Sequence, residues 1–392
     1  MWRALVLAIL VPACVAYRAQ SVSLEEVDRA VAAREGGRFD FAAAVRLAQR
    51  QNADLRRLAA EARAAGLAIP PVAATANTRS EVAGARVDLL QLVKVGPRGA
   101  AAKTAHARRV EALAALREAE QTIAVRIAES FLVERVLRDR AVPAIDLDAD
   151  RFHTAGLASD ADRQRVDFAR TAEAAEHETV AAQREANLAH VRELLGLGSA
   201  APVELVLPED PAFATVRDAR VIDRPDLARV LAAYYTADAE FRRAVIEQYP
   251  TLELGGEIAW NGSGSGGLVA LRIPLGAAEP ARAAGERREA ARIAVEAALL
   301  QAQREAAVHA AQLRAADARA VAFGKRAVAA TALYEAALAR LDVFPDAFPM
   351  AAEMASLAVR TAIQARETAV AAARARAVLA ASYGWPSEEE IG

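Results

Sequence analysis

Five histidines, one cysteine and one glycine-rich turn are the residues of this chain whose types could carry chemistry. The histidines, which could hold a metal ion or move protons, show no metal-ligand spacing; they are His106, His153, His177, His190 and His309. Gly262, Gly264 and Gly267 fit the phosphate-binding pattern Gly-x-Gly-x-x-Gly, but they join two predicted strands and open no helix. No Gly-x-Ser-x-Gly nucleophile motif is present. We therefore expect no catalysis, no cofactor and no metal site.

The cysteine lies at the end of an N-terminal segment that resembles an export signal. Arg3 precedes an apolar run that ends at Val11, which predicts a signal peptide over residues 1–13. Val11-Pro12-Ala13-Cys14 resembles the bacterial lipobox, in which the cysteine becomes the lipidated first residue of the mature chain. We expect lipidation of Cys14, with cleavage after Ala16 as the open alternative.

The composition narrows the class of protein. The chain has 392 residues, is 54% hydrophobic but only 5% aromatic, and carries a formal net charge of −2. Much of the apolar fraction is alanine, which favours helix strongly but buries little area per residue, so long and closely packed helices are expected. No Lys/Arg cluster is interleaved with aromatics, so we expect no nucleic-acid binding. After the signal no stretch of 18 apolar residues occurs, which leaves a closed β-barrel as the only way to cross a membrane.

The order of predicted elements occurs twice. Asn52-Ala53-Asp54-Leu55 and Arg224-Pro225-Asp226-Leu227 each open a helical stretch that ends at a proline, and Leu195-Gly196 and Tyr383-Gly384 each close the copy. The predicted division is a segment 14–39, a first repeat 40–200, a linker 201–223, a second repeat 224–384 and a tail 385–392. Such long-range repetition predicts two copies of one structural unit.

Each repeat contains a predicted strand pair, about 72–93 in the first and about 251–275 in the second. The second pair alternates, and each arm has about the length that a tilted strand needs to cross a bilayer. The positions predicted to face lipid are Leu252, Leu254, Ile258, Trp260, Val269, Leu271 and Ile273. Four strands are too few to close a barrel around water, so the chain must then oligomerise. A soluble β-subdomain with one packed face would give the same alternation.

A very long helix follows each strand pair. The predicted spans are about 98–142 and about 281–337, or roughly 65 Å and 85 Å at the rise of an α-helix. Return helices are predicted over about 160–195 and about 349–383. Pro143 should kink or end the first long helix, so the two copies differ there. The predicted fold is therefore mainly α with a small β part.

The ordered motifs of the mature chain resemble the TolC-like outer-membrane efflux factors. They are Arg224-Pro225-Asp226-Leu227, Tyr249-Pro250, Arg272-Ile273-Pro274-Leu275, Gly156-Leu157-x-Ser159 and Leu341-Asp342-Val343. The Arg272-Ile273-Pro274-Leu275 strand end resembles the heavy-metal efflux branch of that family. Two departures are visible: Phe152 and Gly156 stand one residue further apart than in the family, and Ala337 occupies a usual glycine position.

The resemblance implies a homotrimer in the outer membrane of a Gram-negative bacterium, with a large periplasmic part. Three copies of the duplicated helix–β-hairpin–long helix–helix repeat would form a 12-stranded β-barrel in lipid on a periplasmic α-helical barrel. The implied partners are a periplasmic adaptor protein and, through it, an inner-membrane transporter. Adaptor contacts are expected at the repeat tips, namely Gly156, Leu157, Ser159, Leu338 and Ala339. The alternative function is a periplasmic coiled-coil scaffold or adaptor without its own channel.

A gate is the last functional prediction. Asp342, Asp346, Met350 and Met354 recur every four residues and share one face if the segment is helical throughout. In a trimer the two aspartates would repeat around the axis and make the closed entrance cation-selective. They could equally be solvated acids at a helix start, with the methionines as packing residues. Pro345 and Pro349 allow the helix to begin as late as Pro349, which would leave Asp342 in a loop.

Overall fold

The computed structural model describes residues 23–67, 74–77, 84–87, 95–139, 142–207, 220–249, 251–258, 265–272, 278–341 and 343–384. Several predicted features lie outside these residues. They are the signal peptide with Cys14, most of the first strand pair, Trp260, Ile273, Asp342 and the tail 385–392.

The described chain is mainly helical. Its helices are α1 (Leu24–Ala32), α2 (Phe41–Gln51), α3 (Ala53–Leu67), α4 (Val95–Asp139), α5 (Ala149–Thr154), α6 (Asp160–Leu195), α7 (Pro225–Ile246), α8 (Ala278–Leu341) and α9 (Phe348–Ser382). Its strands are β1 (Gly37–Phe39), β2 (Ala74–Asn77), β3 (Gly84–Val87), β4 (Val203–Leu205), β5 (Thr251–Ile258) and β6 (Ser265–Arg272). Short 3-10 turns occupy Val221–Asp223 and Pro345–Ala347.

The hairpins of the two repeats join into one sheet. The strand order is β2-β3-β5-β6, with neighbouring strands antiparallel. In the second hairpin Leu252 pairs with Leu271 and Leu254 pairs with Val269. The register therefore pairs two of the positions predicted to face lipid on β5 with two on β6.

A second, two-stranded sheet ties the ends of the first repeat together. Phe39 of β1 pairs in parallel with Leu205 of β4, in segments where the sequence predicts no strand. Leu205 is fully buried, and the core beneath it includes Phe131 and Leu195. Short three-residue strands are difficult to predict because only this long-range pairing makes them strands.

Glycines form two equivalent joints between the repeats' helices. Gly196 ends α6 with a φ of 68°, and Gly384 follows α9 with a φ of 78°. A Cβ at Gly196 would stand 2.7 Å from the carbonyl oxygen of Gln51, and one at Gly384 would stand 3.1 Å from that of Asp223. The end of α6 thus contacts the chain just before the start of α3, and the end of α9 contacts the chain just before the start of α7. As a result α6 lies beneath α3, and α9 lies beneath α7.

The long helices consequently stand as four columns in one layer. Column 1 is α3 above α6, column 2 is α4, column 3 is α7 above α9, and column 4 is α8, where "above" means toward the four-stranded sheet. Neighbouring columns pack on one another in that order, and α6 of column 1 also packs directly on α9 of column 3. Columns 1 and 4 form the edges of the layer. Alanines fill the contact between α9 and its neighbours, with Ala351, Ala355 and Ala358 fully buried. Small side chains let helix axes approach closely, which accounts for the alanine-rich composition.

Candidate functional site

The two repeats end in neighbouring tips, at the far end of the columns from the four-stranded sheet. Tip 1 is the turn between α5 and α6, and tip 2 is the turn between α8 and α9. Phe152 of tip 1 stacks on Phe348 of tip 2 with ring centroids 4.7 Å apart and an angle of 24° between the rings. Both tips therefore present their exposed residues at one end of the molecule.

Tip 1 contains three of the predicted contact residues. Gly156 makes the turn with a φ of 74°, and Leu157 is exposed. Ser159 caps α6: its hydroxyl donates to Asp162 Oδ2 at 2.6 Å and accepts from the Asp162 N–H at 3.2 Å. The Ser159 hydrogen bond holds the pKa of the Asp162 carboxyl below its usual value, against the raising effect of burial. Ser159 thus shapes the tip, while Leu157 is the residue on its surface.

Tip 2 lies further along the chain than the sequence predicts. Helix α8 continues to Leu341, so Leu338 and Ala339 lie within its last turns, with Leu338 packed against the tip core. The exposed apolar residues of the turn are Val343 and Phe344, at 68% and 54% exposure. Neither residue is among the contacts predicted from the sequence, although Val343 belongs to the Leu341-Asp342-Val343 motif. The Phe344-Pro345 pair was the available signal, because proline favours the start of a helical turn.

The predicted gate stripe is interrupted. Helix α9 begins at Phe348, and Asp346 lies in the preceding 3-10 turn, where it is exposed. Met350 is exposed on the first turn of α9, whereas Met354 packs against the tip core. The three described members of the predicted stripe therefore do not share one helical face. The segment is not one continuous helix, which was the condition for a shared face.

An extended segment replaces the end of the first long helix. Helix α4 has 45 residues and α8 has 64, so α4 is 19 residues, or about 28 Å, shorter. Residues 142–148, which we call the strap, run without helical structure from below α4 to α5. Because an extended chain advances more than twice as far per residue as a helix, the seven residues 142–148 can cover up to about 24 Å. The first repeat thus reaches its tip with fewer residues.

Side chains from both repeats hold the strap. Glu173 of α6 accepts from the Ile145 N–H at 3.0 Å, and Arg170 of α6 donates to the Leu147 carbonyl at 2.6 Å. Tyr334 of α8 accepts from the Asp146 N–H through its hydroxyl at 3.1 Å. Burial raises the pKa of Tyr334. The strap is therefore fixed between column 1 and column 4.

Buried ion pairs tie column 1 to columns 2 and 3. Arg366 of α9, only 2% exposed, pairs with Glu176 of α6. Glu134 of α4, which is fully buried, contacts Arg138 and Arg184, each at 2.9 Å. Burial lowers the pKa of Arg366. Charged groups this deep need a partner to remain charged, so these pairs constrain how the columns pack.

Both edges of the layer carry exposed apolar rows. On α8, Ile293, Leu300, Val321 and Val328 are each more than half exposed and fall on multiples of seven residues. On α6 the same spacing gives an exposed row of Ala161, Phe168, Ala175, Ala182 and Ala189. A seven-residue apolar repeat is the pattern of helices that pack along their length.

The described residues contain no group of three or more His, Cys, Asp or Glu side chains that could hold a metal ion. None of the helices in the described ranges combines the length and the apolar character that a membrane span requires.

Comparison with solved structures gives the fold of this chain. The open state of the Neisseria gonorrhoeae MtrE outer membrane channel matches with a TM-score of 0.68 and 15% identity, over 88% of this chain and 88% of that one. The chain has the fold of an outer-membrane channel. The Campylobacter jejuni CmeC outer membrane channel matches with a TM-score of 0.62 and 14% identity, over 88% and 85%. A membrane protein from Pseudomonas aeruginosa matches with a TM-score of 0.66 and 18% identity, over 88% and 90%.

The resemblance read from the ordered motifs is thereby confirmed at the level of fold. No protein-family profile and no curated protein matches the sequence. The order of turns and glycines could be recognised in the sequence because backbone geometry requires it. Such residues are kept even between chains that are only 14% to 18% identical.

Proposed function

We propose that this chain is the subunit of a homotrimeric TolC-type channel in the outer membrane of a Gram-negative bacterium. The trimer is a passive conduit from the periplasm to the exterior. The observation that carries the proposal is the match of 88% of the chain to outer membrane channels. The layer of four columns supports it, because each edge of the layer exposes an apolar row that a monomer leaves open to water.

In this proposal three four-stranded sheets close a 12-stranded barrel in lipid. Closure removes the free edges of β2 and β6. Leu252, Leu254, Val269 and Leu271 then face the lipid, together with Ile258 and Ile273, and Trp260 lies near the membrane interface. Twelve columns form the periplasmic part beneath the barrel.

Channel formation is tested on the full chain extracted in detergent. Native mass spectrometry should find a trimer, and addition of that trimer to a planar lipid bilayer should produce discrete conductance steps. A stable monomer that leaves the cell in the soluble fraction without detergent would overturn the proposal in favour of a periplasmic scaffold or adaptor.

Lipidation of Cys14 is a separate part of the proposal. Cys14→Ser should abolish acyl labelling and shift the mature N-terminus, while the trimer still inserts because the strand pairs carry the membrane contact. An unmodified mature N-terminus at Tyr17 in the wild-type protein would show that the cysteine is removed with the signal peptide.

The tips are the proposed contact with a periplasmic adaptor, through which the channel serves an inner-membrane transporter. Leu157, Val343 and Phe344 form an exposed apolar end, which is the kind of surface that a partner covers. Gly156 and Ser159 shape the first tip, and Leu338 and Ala339 support the second from the last turns of α8. Leu157→Asp and Phe344→Asp should abolish co-purification of the adaptor without changing trimer formation or conductance. Retained co-purification would place the contact elsewhere.

The gate remains a proposal about Asp342 and Asp346. Asp346 is exposed in the tip 2 turn, and three copies around an axis would attract cations to the entrance. Single-channel recording of Asp342→Ala and Asp346→Ala decides it. Unchanged conductance and unchanged cation preference would remove both residues from the gate.

A further inference from the structure

One flank of the lower part of α8 carries only basic charge. Arg319, Arg326 and Arg340 are exposed and lie seven or fourteen residues apart, so they share one face of the helix. We call these three residues the arginine row. Within the described part of the chain none of them has an ion pair, and Arg326 lies over the ring of Phe323, 5.3 Å from its centroid.

The acidic residues of the same stretch of α8 lie on its other flank. Asp317 and Glu335 line a groove of about 1430 Å³ that is formed by α4, α8 and α9. Buried alanines of α8, among them Ala320 and Ala330, separate this groove from the arginine row. The arginine row therefore has no acidic neighbour on its own flank of the helix.

The adjoining surface of α9 does not neutralise the row. The exposed α9 positions that are turned away from the groove recur every seven residues and alternate in sign; they are Glu353, Arg360, Glu367 and Arg374. Arg374 also pairs with Glu129 of α4 at 3.4 Å, and Arg126 is exposed one turn before Glu129. Acids and bases balance on α9 and α4, so the arginine row supplies the excess charge of this face.

The two-stranded sheet identifies the outer face of the layer. Leu132 and Ala373 belong both to the core beneath that sheet and to the wall of the groove, so the sheet and the groove share one face. Twelve columns spaced by about 9 Å would enclose a lumen about 25 Å wide. Three copies of the sheet with α2, each layer about 10 Å thick, would fill that lumen. The face with the sheet must then lie outside, and the arginine row faces the lumen.

We propose that the arginine row binds multivalent anions inside the channel, which makes anionic solutes the class of cargo that this conduit favours. The inference rests on the trimer proposed above and deepens it by naming the solute. Three arginines in three copies give nine guanidinium groups, in rings about 10 Å and 21 Å apart. Guanidinium groups bind phosphate and carboxylate oxygens in pairs, and a passage lined by one sign of charge raises the local concentration of counter-ions about tenfold or more.

The row and the proposed gate act at different depths. Asp346 lies beyond the end of α8, in the tip 2 turn, whereas the arginine row begins at Arg340 and continues toward the joints. An anion that enters from the barrel end therefore reaches the row without passing Asp346.

Block of the open channel by tripolyphosphate tests the inference. The probe is added at low salt to the chamber that the barrel faces. Wild-type trimer in a planar bilayer should be half-blocked at about tenfold lower tripolyphosphate than Arg319→Gln/Arg326→Gln/Arg340→Gln. Arg319→Lys/Arg326→Lys/Arg340→Lys keeps the charge and should stay close to the wild type. Native mass spectrometry checks that each variant is a trimer, and the three single glutamine variants serve if the triple one does not assemble.

A matched control removes the same charge from the outer face. Arg29→Gln/Arg38→Gln/Arg50→Gln replaces three exposed arginines on α1, β1 and α2, on the side of the sheet. Block by tripolyphosphate should be unchanged in this variant. Block that weakens as much as in the arginine-row variant would assign the effect to net charge and overturn the inference.

Two further results would contradict it. A wild-type channel that conducts but is not blocked by tripolyphosphate, or that is blocked equally after the glutamine substitutions, shows that the row does not face the lumen and leaves the proposed function intact. A wild-type protein that forms neither a trimer nor a conducting pore removes the proposed function together with this inference.

Discussion

Phe152 and Phe348 stack face to face and connect the tips of the two repeats. Phe348 is fully buried, although it lies only four residues from the exposed Phe344. The surrounding core combines strap residues with alanines of α9, so the Phe348 ring packs against parts of both repeats.

Removal of that ring should destabilise the tips strongly. Phe348→Ala leaves a cavity in a closely packed core and should cost about 3–5 kcal/mol of the free energy of unfolding. Thermal unfolding of the detergent-solubilised protein measures the loss. Phe344→Ala is the control, because its side chain is 54% exposed and should cost little. Equal effects of the two substitutions would contradict the packing described for tip 2.

The joint glycines should tolerate alanine less well than the tip glycine. Gly196 and Gly156 both have positive φ, which costs an alanine about 1 kcal/mol or more in strain. Only at Gly196 would the new Cβ also meet a backbone atom, the Gln51 carbonyl oxygen at 2.7 Å, whereas nothing lies within 4 Å at Gly156. Gly196→Ala should therefore lower the melting temperature clearly more than Gly156→Ala. The same fall in both variants would show that strain alone matters and that the joint relaxes.

The joints also show what could and could not be predicted. Leu195-Gly196 and Tyr383-Gly384 were visible as repeat landmarks, because a left-handed helix end requires glycine. Their contact with Gln51 and Asp223 was not visible, because it depends on how α6 and α9 return along the neighbouring columns. The long helices could be predicted for a similar reason, because the helix propensity of alanine is a local property of the sequence.

The tips were harder to predict for the opposite reason. The last turns of α8 contain no helix breaker, so only Pro345, which lies beyond them, indicated that the turn lies at Val343 and not at Ala339. The strap likewise depends on Glu173 and Tyr334, which lie far away in sequence. Pro143 indicated that α4 must end, but not that an extended segment would continue its path.

The cap of tip 1 should make stability sensitive to acid. The Ser159 hydrogen bond lowers the pKa of Asp162 in the folded state, so its contribution is present above the ordinary aspartate pKa of 3.8 and is lost as the pH falls through the lower folded value. Ser159→Ala should cost about 1 kcal/mol at neutral pH and flatten the fall in stability below about pH 4. Melting temperatures between pH 2 and pH 7 measure both. If the fall in melting temperature at acid pH is the same in Ser159→Ala as in the wild type, carboxylates other than Asp162 determine it.

Tyr334 should make stability sensitive to alkali. Burial raises its pKa above 10.0, so the folded state disfavours the phenolate. Its contribution is complete below the unfolded pKa and falls as the pH rises above it, because the unfolded chain then releases a proton that the folded chain retains. Tyr334→Phe should cost about 1 kcal/mol at neutral pH, since the Asp146 N–H loses its acceptor in a part-buried hydrogen bond. The same variant should lose less stability than the wild type between neutral pH and pH 11.

Tyr235→Phe, at an exposed position on α7, is the control and should change neither the stability at neutral pH nor its loss at pH 11. Chemical denaturation at both pH values decides between the outcomes, and a variant as stable as the wild type at neutral pH would show that Tyr334 does not hold the strap.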